Sequence, residues 1–391
     1  MNGVYLTLNA GSSSLKFALF DSAASSADPL LKGTVAGVGG TPAFTARGAD
    51  GAKIDTGVAL DGASDHAEVI ARLLPWLAAQ HAGRPLLAVG HRVVHGGQHF
   101  PEPTRITPPV LAQLQDLAPL APLHQHHNLA AIRAVAQREP DVPQIACFDT
   151  SFHRTQSHLA QQFALPRTLT DQGIIRYGFH GLSYDYIAST LPEHLQDGAD
   201  GRVVVAHLGN GSSMCALHAR KSVATTMGFT ALDGLMMGSR CGTLDPGVIL
   251  HLIQHEGMRA DEIETLLYTR SGLLGVSGTS NDMYVLQNTD TASARDAIDM
   301  FCYRAACGLA GLVPSIGGLD ALVFTAGIGE NSALVRTKIC GWLDWLGVSL
   351  DDVANDQAAT VISAASSRVK VLVVPTNEEA VVARACRALV R

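Results

Sequence analysis

Residues 4–20 read VYLTLNAGSSSLKFALF, and this stretch decides the reading of the fold. Residues 4–8 are apolar and strand-forming, residues 15–20 repeat that character, and Asn9-Ala10-Gly11-Ser12-Ser13-Ser14 lies between them. Strand, tight polar turn and strand follow from that pattern. Gly11 tolerates φ > 0, and the small side chains leave backbone N–H groups open to an anion. Lys16 adds a positive charge. Taken alone, such a turn is an ordinary hairpin. A second copy changes its weight: residues 203–217, VVVAHLGNGSSMCAL, again lead an apolar run into Gly211-Ser212-Ser213 and out into another apolar run. The recurrence predicts two related domains, each with a phosphate-binding hairpin, the two facing one cleft that holds a nucleotide polyphosphate.

A chain of 391 residues has room for two or more domains. Its 47% hydrophobic content supplies large cores, and 16% charged residues exclude a disordered, tail-rich chain. A net charge of −7 with scattered basic residues argues against a nucleic-acid partner. The start of the chain lacks a basic, cleavable leader, and no apolar run is long enough to span a bilayer, so no membrane partner is expected. Seven cysteines, an odd and dispersed set, fit reduced thiols in a cytoplasm. All read as small core residues except Cys241, which falls near a proposed site.

Along the chain, the Gly-rich residues 31–60 read as short strands. Ser64-Asp65 caps a helix over 66–80 that Pro75 should bend or split. A strand over 86–89 delivers His91-Arg92-Val93-Val94-His95-Gly96-Gly97. His91, His95 and His99 would line a metal face on a helix, but Gly96-Gly97 and the β-branched pair before them argue against a helix, and the metal reading goes with it. Arg92, at a strand end, suits a bidentate grip on a carboxylate or phosphate, and equally a structural ion pair. Of His124, His126 and His127, which follow a proline-containing loop, only His124 is a site candidate. Asn128 reads as the cap of a helix over 129–138. A strand over 144–148 ends in Asp149, where α/β folds place chemistry, although a carboxylate there also caps helices. His180 lies between Phe179 and Gly181 in a loop.

In the second half, the Gly-rich residues 227–247 carry Arg240 and end in Asp245-Pro246, cap and first residue of a helix to 256 closed by Gly257. Residues 293–313 form a long Ala-rich helix. A strand over 322–325 runs into Ala326-Gly327-Ile328-Gly329-Glu330-Asn331 and a helix from 332. This is a nucleotide-binding arrangement whose spacing departs from G-x-G-x-x-G and so speaks against NAD. A strand over 369–375 precedes Glu378, at the strand end, and a terminal helix over 380–390. Asp149 and Glu378, facing one cleft beside bound phosphates, form an oxygen site for Mg²⁺.

The stretches LNAGSSSLKF (8–17), GHRVVHGG (90–97), FDTSFH (148–153), RYGFHG (176–181), HLGNGSS (207–213), MGFTALDGLMMGSRCGTLDPG (227–247), FTAGIGEN (324–331) and PTNEEA (375–380) together resemble the acetate/propionate kinase family. The resemblance implies the two-domain α/β fold of actin-like, Hsp70-like and sugar-kinase-like ATPases, built from duplicated ribonuclease H-like domains. It implies an N-terminal acyl-side domain of residues 1–150 plus 378–391, and a nucleotide-binding and dimerisation domain of residues 151–377. It also implies a homodimer, and direct, reversible, in-line phosphoryl transfer from ATP to acetate, giving acetyl phosphate and ADP. Mg²⁺ would be the cofactor, with Mn²⁺ as its substitute, and propionate a second acid.

Carried over residue by residue, Asn9, Asp149 and Glu378 surround the metal and Lys16 reaches the phosphates. Arg92 and Arg240 hold the acyl carboxylate and the moving phosphoryl group. His180 stabilises that group with help from His124, and Asp149 aligns the reactants. The acyl pocket comes from Val94, Leu123, Phe179 and Ala231. The nucleotide falls to His207, Leu208, Gly209, Asn210 and Gly211, to Asp282, Met283 and Tyr284, and to Gly327, Ile328, Gly329, Glu330 and Asn331. The chemistry agrees with this assignment. A carboxylic acid with a pKa of ~4 to 5 is already ionised at neutral pH, so no strong base is needed. The obstacle is repulsion between a carboxylate and a triphosphate, which cations and positioning overcome.

The chain departs from the family pattern at Gln125-His126-His127, at Tyr184 where a second histidine is usual, at Tyr284 where an arginine is usual, and at Ala231 where a proline is usual. Three other readings compete, of which metal-dependent hydrolysis at the His-rich loop lacks a carboxylate at ligand spacing. A kinase of the same fold acting on another short acid would show in its substrate profile. A nucleotide-driven binding module would hydrolyse ATP without any acid and needs a peptide-binding domain, for which no residues are left over. Losing the proline ring at Ala231 makes room for one methylene, worth about 0.8 kcal/mol if buried. Propionate should therefore be used nearly as well as acetate, and a kcat/KM for propionate more than about a hundredfold lower would contradict this reading of Ala231.

Overall fold

A computed structural model describes residues 2–11, 13–24, 28–57, 60, 63–81, 83–121 and 124–390; Ser12 and Leu123 lie outside the described residues. The chain forms two compact units, Met1–Phe152 with Asn377–Arg391, and His153–Thr376. In the first unit the strands are β1 (Val4–Ala10), β2 (Ser14–Asp21), β3 (Leu31–Ala36), β4 (Ala43–Gly48), β5 (Lys53–Ile54), β6 (Leu86–Val93), β7 (Thr104–Arg105) and β8 (Gln144–Phe148). They form one sheet in the order β5-β4-β3-β2-β1-β6-β8-β7. The second unit holds β9 (Arg202–Leu208), β10 (Ser212–His218), β11 (Lys221–Thr225), β12 (Ala321–Thr325) and β13 (Lys370–Val373), in the order β11-β10-β9-β12-β13.

The two sheets share one wiring. β1 and β9 each run antiparallel to the next strand, β2 or β10, and parallel to a later one, β6 or β12. β8 and β13 each extend the parallel side. Both units are thus mixed α/β sheets of the duplicated type. The central strands have little polar character to expose. VYLTLNA is buried except at Asn9, and β8 and β12 are buried throughout, as strands covered on both faces must be. In the second unit the helix Ala292–Ile316 lays Ala294, Ala297, Phe301, Ala305 and Leu309 on the core at helical spacing. Among the described residues, no helix is long and apolar enough to cross a membrane.

Several local expectations need correction. The helix His66–Gln80 continues through Pro75. Its Asp65 cap accepts from the Glu68 amide at 2.9 Å, and Val69, Ile70, Leu73, Leu74 and Leu77 are buried, so packing outweighs the lost hydrogen bond. The helix expected from 129 starts earlier, as Gln125–Arg138. Asn128 is not its cap. Its buried amide donates to the Ala10 carbonyl at 2.8 Å and its oxygen accepts from the Val94 amide at 3.0 Å, so it ties the β1 end to the β6 end. β6 runs on past 89 through His91 and Arg92. Residues Ala326–Asn331 are already helical, entered through Ala326 at φ +66°. Glu378 lies in the first turn of the helix Glu378–Leu389, capped by Asn377, rather than at a strand end.

That last helix docks on the first unit because Gly90 has no side chain. A Cβ there would fall 2.3 Å from Val382 Cγ1 and 2.7 Å from Cys386 Sγ. Gly90→Val should therefore lower the stability of this unit by about 1–3 kcal/mol through overpacking. Urea unfolding checks it, and an unchanged midpoint would mean the helix seats some other way.

Candidate active site

In the first unit, Asn9, Arg92 and Asp149 come from three neighbouring strands, β1, β6 and β8, at the end where α/β sheets bind ligands. The Arg92 Nε donates to Asp149 Oδ1 and Oδ2 at 3.0 and 3.1 Å, and its Nη2 donates to Oδ2 at 2.5 Å. Its Nη1 donates to Asn9 Oδ1 at 3.0 Å. Of the two readings of Arg92, the structure shows the ion pair: a fork fixed by a protein carboxylate, with its side chain 20% exposed.

Burial alone would lower the Arg92 pKa, but Asp149, then Glu378 and Glu379, raise it, and it remains a cation. Burial pushes the Glu378 carboxyl up to about 7; Asp149 and Glu379 add to the rise, while Arg92 and Lys16 oppose it. Glu378 and Asp149 therefore belong to one unit and sense one another. The cluster carries more negative charge than its two cations neutralise. Asn9, Asp149 and Glu378 offer hard oxygen donors, and that excess charge fits a divalent cation. Among the described residues, no three His, Cys, Asp or Glu side chains converge as a complete metal cage. Such a donor set suits Mg²⁺, which shares its coordination with water and phosphate oxygens. Val94 is buried beside this cluster, Lys16 faces Asn9 in the β1–β2 register, and His124 occupies the cap position before Gln125–Arg138.

In the second unit, His180 has φ +59°, a conformation rare outside glycine, and opens the helix Gly181–Leu195. Its ring stacks on His207, centroids 4.2 Å apart and planes at 21°. Neither Gly11 nor Gly211 adopts positive φ, so turn geometry does not explain them. Space explains Gly211: a Cβ would fall 3.2 Å from His180 Nε2 and 3.7 Å from Arg240 Nη1. The Arg240 loop is held by close backbone approach to Gly272, whose Cβ would meet the Arg240 carbonyl oxygen at 2.7 Å. Arg240 Nη1 donates to the Ala231 carbonyl at 3.0 Å, so Ala231 positions this arginine through its backbone. Phe179 is buried, and its carbonyl accepts from the His153 ring at 2.9 Å.

Further along this unit lies a cavity of about 390 Å³, within the range of small-molecule sites. Gly209, Asn210, Asp282, Met283, Tyr284, Gly327, Ile328 and Asn331 line it, together with Asn281, Gln287 and Ser332, which the sequence reading missed. Gln287 falls four residues after Met283 on the helix Met283–Gln287, a spacing that could have found it. His207, Leu208, Gly211, Gly329 and Glu330 do not line the cavity. Leu208 points into the hydrophobic core, and His207 stacks on His180. Gly329 is buried and gives its carbonyl to Arg336 at 2.9 Å. Glu330 Oε1 accepts from the amides of Ala326 at 2.7 Å and Thr376 at 3.1 Å, which makes it a latch on the turn.

The Acetokinase family matches residues 4–384. An acetate kinase of Rhodopseudomonas palustris is 52% identical over 390 residues, covering 98% of each chain. An acetate kinase of Methylocella silvestris is 48% identical, covering 100% of this chain and 98% of its own. Among solved structures, a propionate kinase from Francisella tularensis superposes with a TM-score of 0.91 at 36% identity, over 98% of both chains. The acetate kinase of Porphyromonas gingivalis gives 0.87 at 34% identity, over the full length of both. With this match along nearly its whole length, the chain belongs to the acetokinase family.

Proposed function

We propose that this protein transfers the terminal phosphoryl group of ATP to acetate, and in reverse from acetyl phosphate to ADP, with propionate as a second acid. The observation that carries this reading is the fork of Arg92, fixed by Asp149 and Asn9 at three adjacent strand ends. These bonds use three of its five N–H groups, and the others remain for an anionic substrate. Acetate arrives ionised, so the enzyme's work is to bring two anions together rather than to remove a proton. Arg92 holds the carboxylate. Val94, Phe179 and Ala231 are the residues assigned to the methyl group, and His124 assists. Arg240 and His180 take the moving phosphoryl group, and the cavity with Asn210, Ile328 and Tyr284 takes the nucleoside.

Asn9, Asp149 and Glu378 would hold Mg²⁺ or Mn²⁺, which supplies charge neutralisation to the phosphates, and Lys16 adds to it. On this reading residues 1–150 with 378–391 are the acyl side, and residues 151–377 serve nucleotide binding and dimerisation. A homodimer is supported by the helix Pro246–Gln254, where Val248, Leu250 and Ile253 are 40%, 54% and 46% exposed and no residue is buried. None of the seven cysteines is in a disulfide, which supports a reducing, cytoplasmic location.

A coupled ADP assay over acetate, propionate and butyrate tests the reaction. Acid-independent ATP hydrolysis as the sole activity would refute it. In the same assay Asp149→Asn should lower kcat by about a hundredfold or more and weaken the Mg²⁺ dependence, since it removes a ligand and loosens the Arg92 fork. Retention of both would remove Asp149 from the site. Light scattering should give about twice the chain mass of 41.1 kDa; a monomer at micromolar concentration would dismiss the dimer.

A further inference from the structure

Behind His180 lies a buried chain of hydroxyl groups that the reaction above does not use. Tyr184 stands one helical turn after His180, its amide donating to the His180 carbonyl at 3.1 Å. Tyr184 and Ser213 are both fully buried. The Tyr184 hydroxyl lies 2.5 Å from Ser213 Oγ, and Ser213 Oγ lies 2.8 Å from His180 Nδ1.

Chemistry orders the protons along this chain. A phenol is a better donor than an alcohol, and an imidazole nitrogen is a better acceptor than a phenolic oxygen. The favoured arrangement has Tyr184 donating to Ser213 and Ser213 donating to His180 Nδ1. Burial also pushes the Tyr184 hydroxyl well above its ordinary range, so it keeps its proton. With Nδ1 accepting, the proton of the neutral imidazole sits on Nε2. Nε2 is the ring edge that a Cβ at position 211 would press on at 3.2 Å, with Arg240 Nη1 at 3.7 Å.

The ring is constrained in two ways. Stacking on His207 sets its plane, and His207 is itself held by its Nδ1 at 2.8 Å from Ser183 Oγ. Ser213 sets which edge faces which way. We infer that Tyr184, acting through Ser213, is a positioning residue that fixes His180 as its Nε2–H tautomer, so that the ring meets phosphoryl oxygens as a hydrogen-bond donor. The reverse order would turn a bare nitrogen lone pair toward those oxygens and repel them. No bond forms or breaks in this chain; it sets tautomer and orientation. The inference rests on the phosphoryl-transfer reading of the site.

Tyr184→Phe removes one oxygen from a buried ring, and Ser213→Ala removes the link. Each should lower kcat about tenfold or more while KM for acetate and for ATP stays within about twofold, because a wrong tautomer harms the transition state more than binding. The double variant should be no worse than Ser213→Ala alone, since residues in one relay are not additive. ¹⁵N-histidine NMR of the full chain, with His180 assigned by its loss in His180→Asn, should report Nε2–H in the wild type and a mixture in Tyr184→Phe. An active wild type whose Tyr184→Phe keeps its kcat, additive losses in the double variant, or an Nδ1–H tautomer in the wild type would overturn the relay. A wild type inactive on every short acid would overturn the reaction instead, and the NMR result would still decide the tautomer.

Discussion

The Arg92 guanidinium, locked between Asp149 and Asn9, is the interaction on which the first unit's chemistry depends. A lone arginine side chain has many rotamers, and pointing it at a substrate costs conformational entropy. Here that ordering is built into the fold. The three partners sit at the ends of β1, β6 and β8, so sheet register alone sets their spacing. Asn128 reinforces it by bridging Ala10, the residue after Asn9, to Val94, the residue after the end of β6. A slip of one residue would turn each of these side chains to the opposite face.

The same cluster is electrostatically unfinished. Glu378 reaches it on the C-terminal helix, which returns to the first unit across the bare face of Gly90. The result is a group of carboxylates whose burial, and then mutual repulsion, hold Glu378 up to about 7. A protein gains nothing in stability from such crowding. On the proposed reading, crowded acids beside a fixed arginine would accept a divalent cation and an anion together. This is the combination that lets a carboxylate approach a polyphosphate.

Much of this was legible in the sequence because it lies in local pattern. The repeated Gly-Ser-Ser turns announced the duplication, and the matching strand orders of the two sheets are its physical form. Asp149 at the end of β8, and the Asp245-Pro246 start of the helix Pro246–Gln254, follow from strand and cap chemistry. The misreadings share a cause. Asn128 has the chemistry of a cap and that of a strut, and only the tertiary position of Ala10 and Val94 decides between them. Leu208, Gly329 and Glu330 lie inside motifs that line a cavity, but a motif does not say which side of the backbone faces the ligand. His180 and Ala326 hold positive φ, where sequence reasoning expects glycine. Such strain of about 1–3 kcal/mol persists only where the surroundings enforce it.

The twin turns also show how a duplication diverges. The two hairpins share a Gly-Ser-Ser sequence, and neither glycine is required by its dihedral angles. Among the described residues, a Cβ on Gly11 would meet Ser14, its Oγ at 3.2 Å, which a small rotation relieves. A Cβ on Gly211 would press on His180 Nε2 and approach Arg240. One letter thus answers to different constraints in the two units: a Cβ would meet a serine hydroxyl in the first, and the His180 imidazole and Arg240 guanidinium in the second. The constraint at Gly211 comes from the neighbours, and those neighbours are side chains through which a phosphoryl group would be held. On the proposed reading, a side chain at 211 would take up room that the phosphoryl group needs.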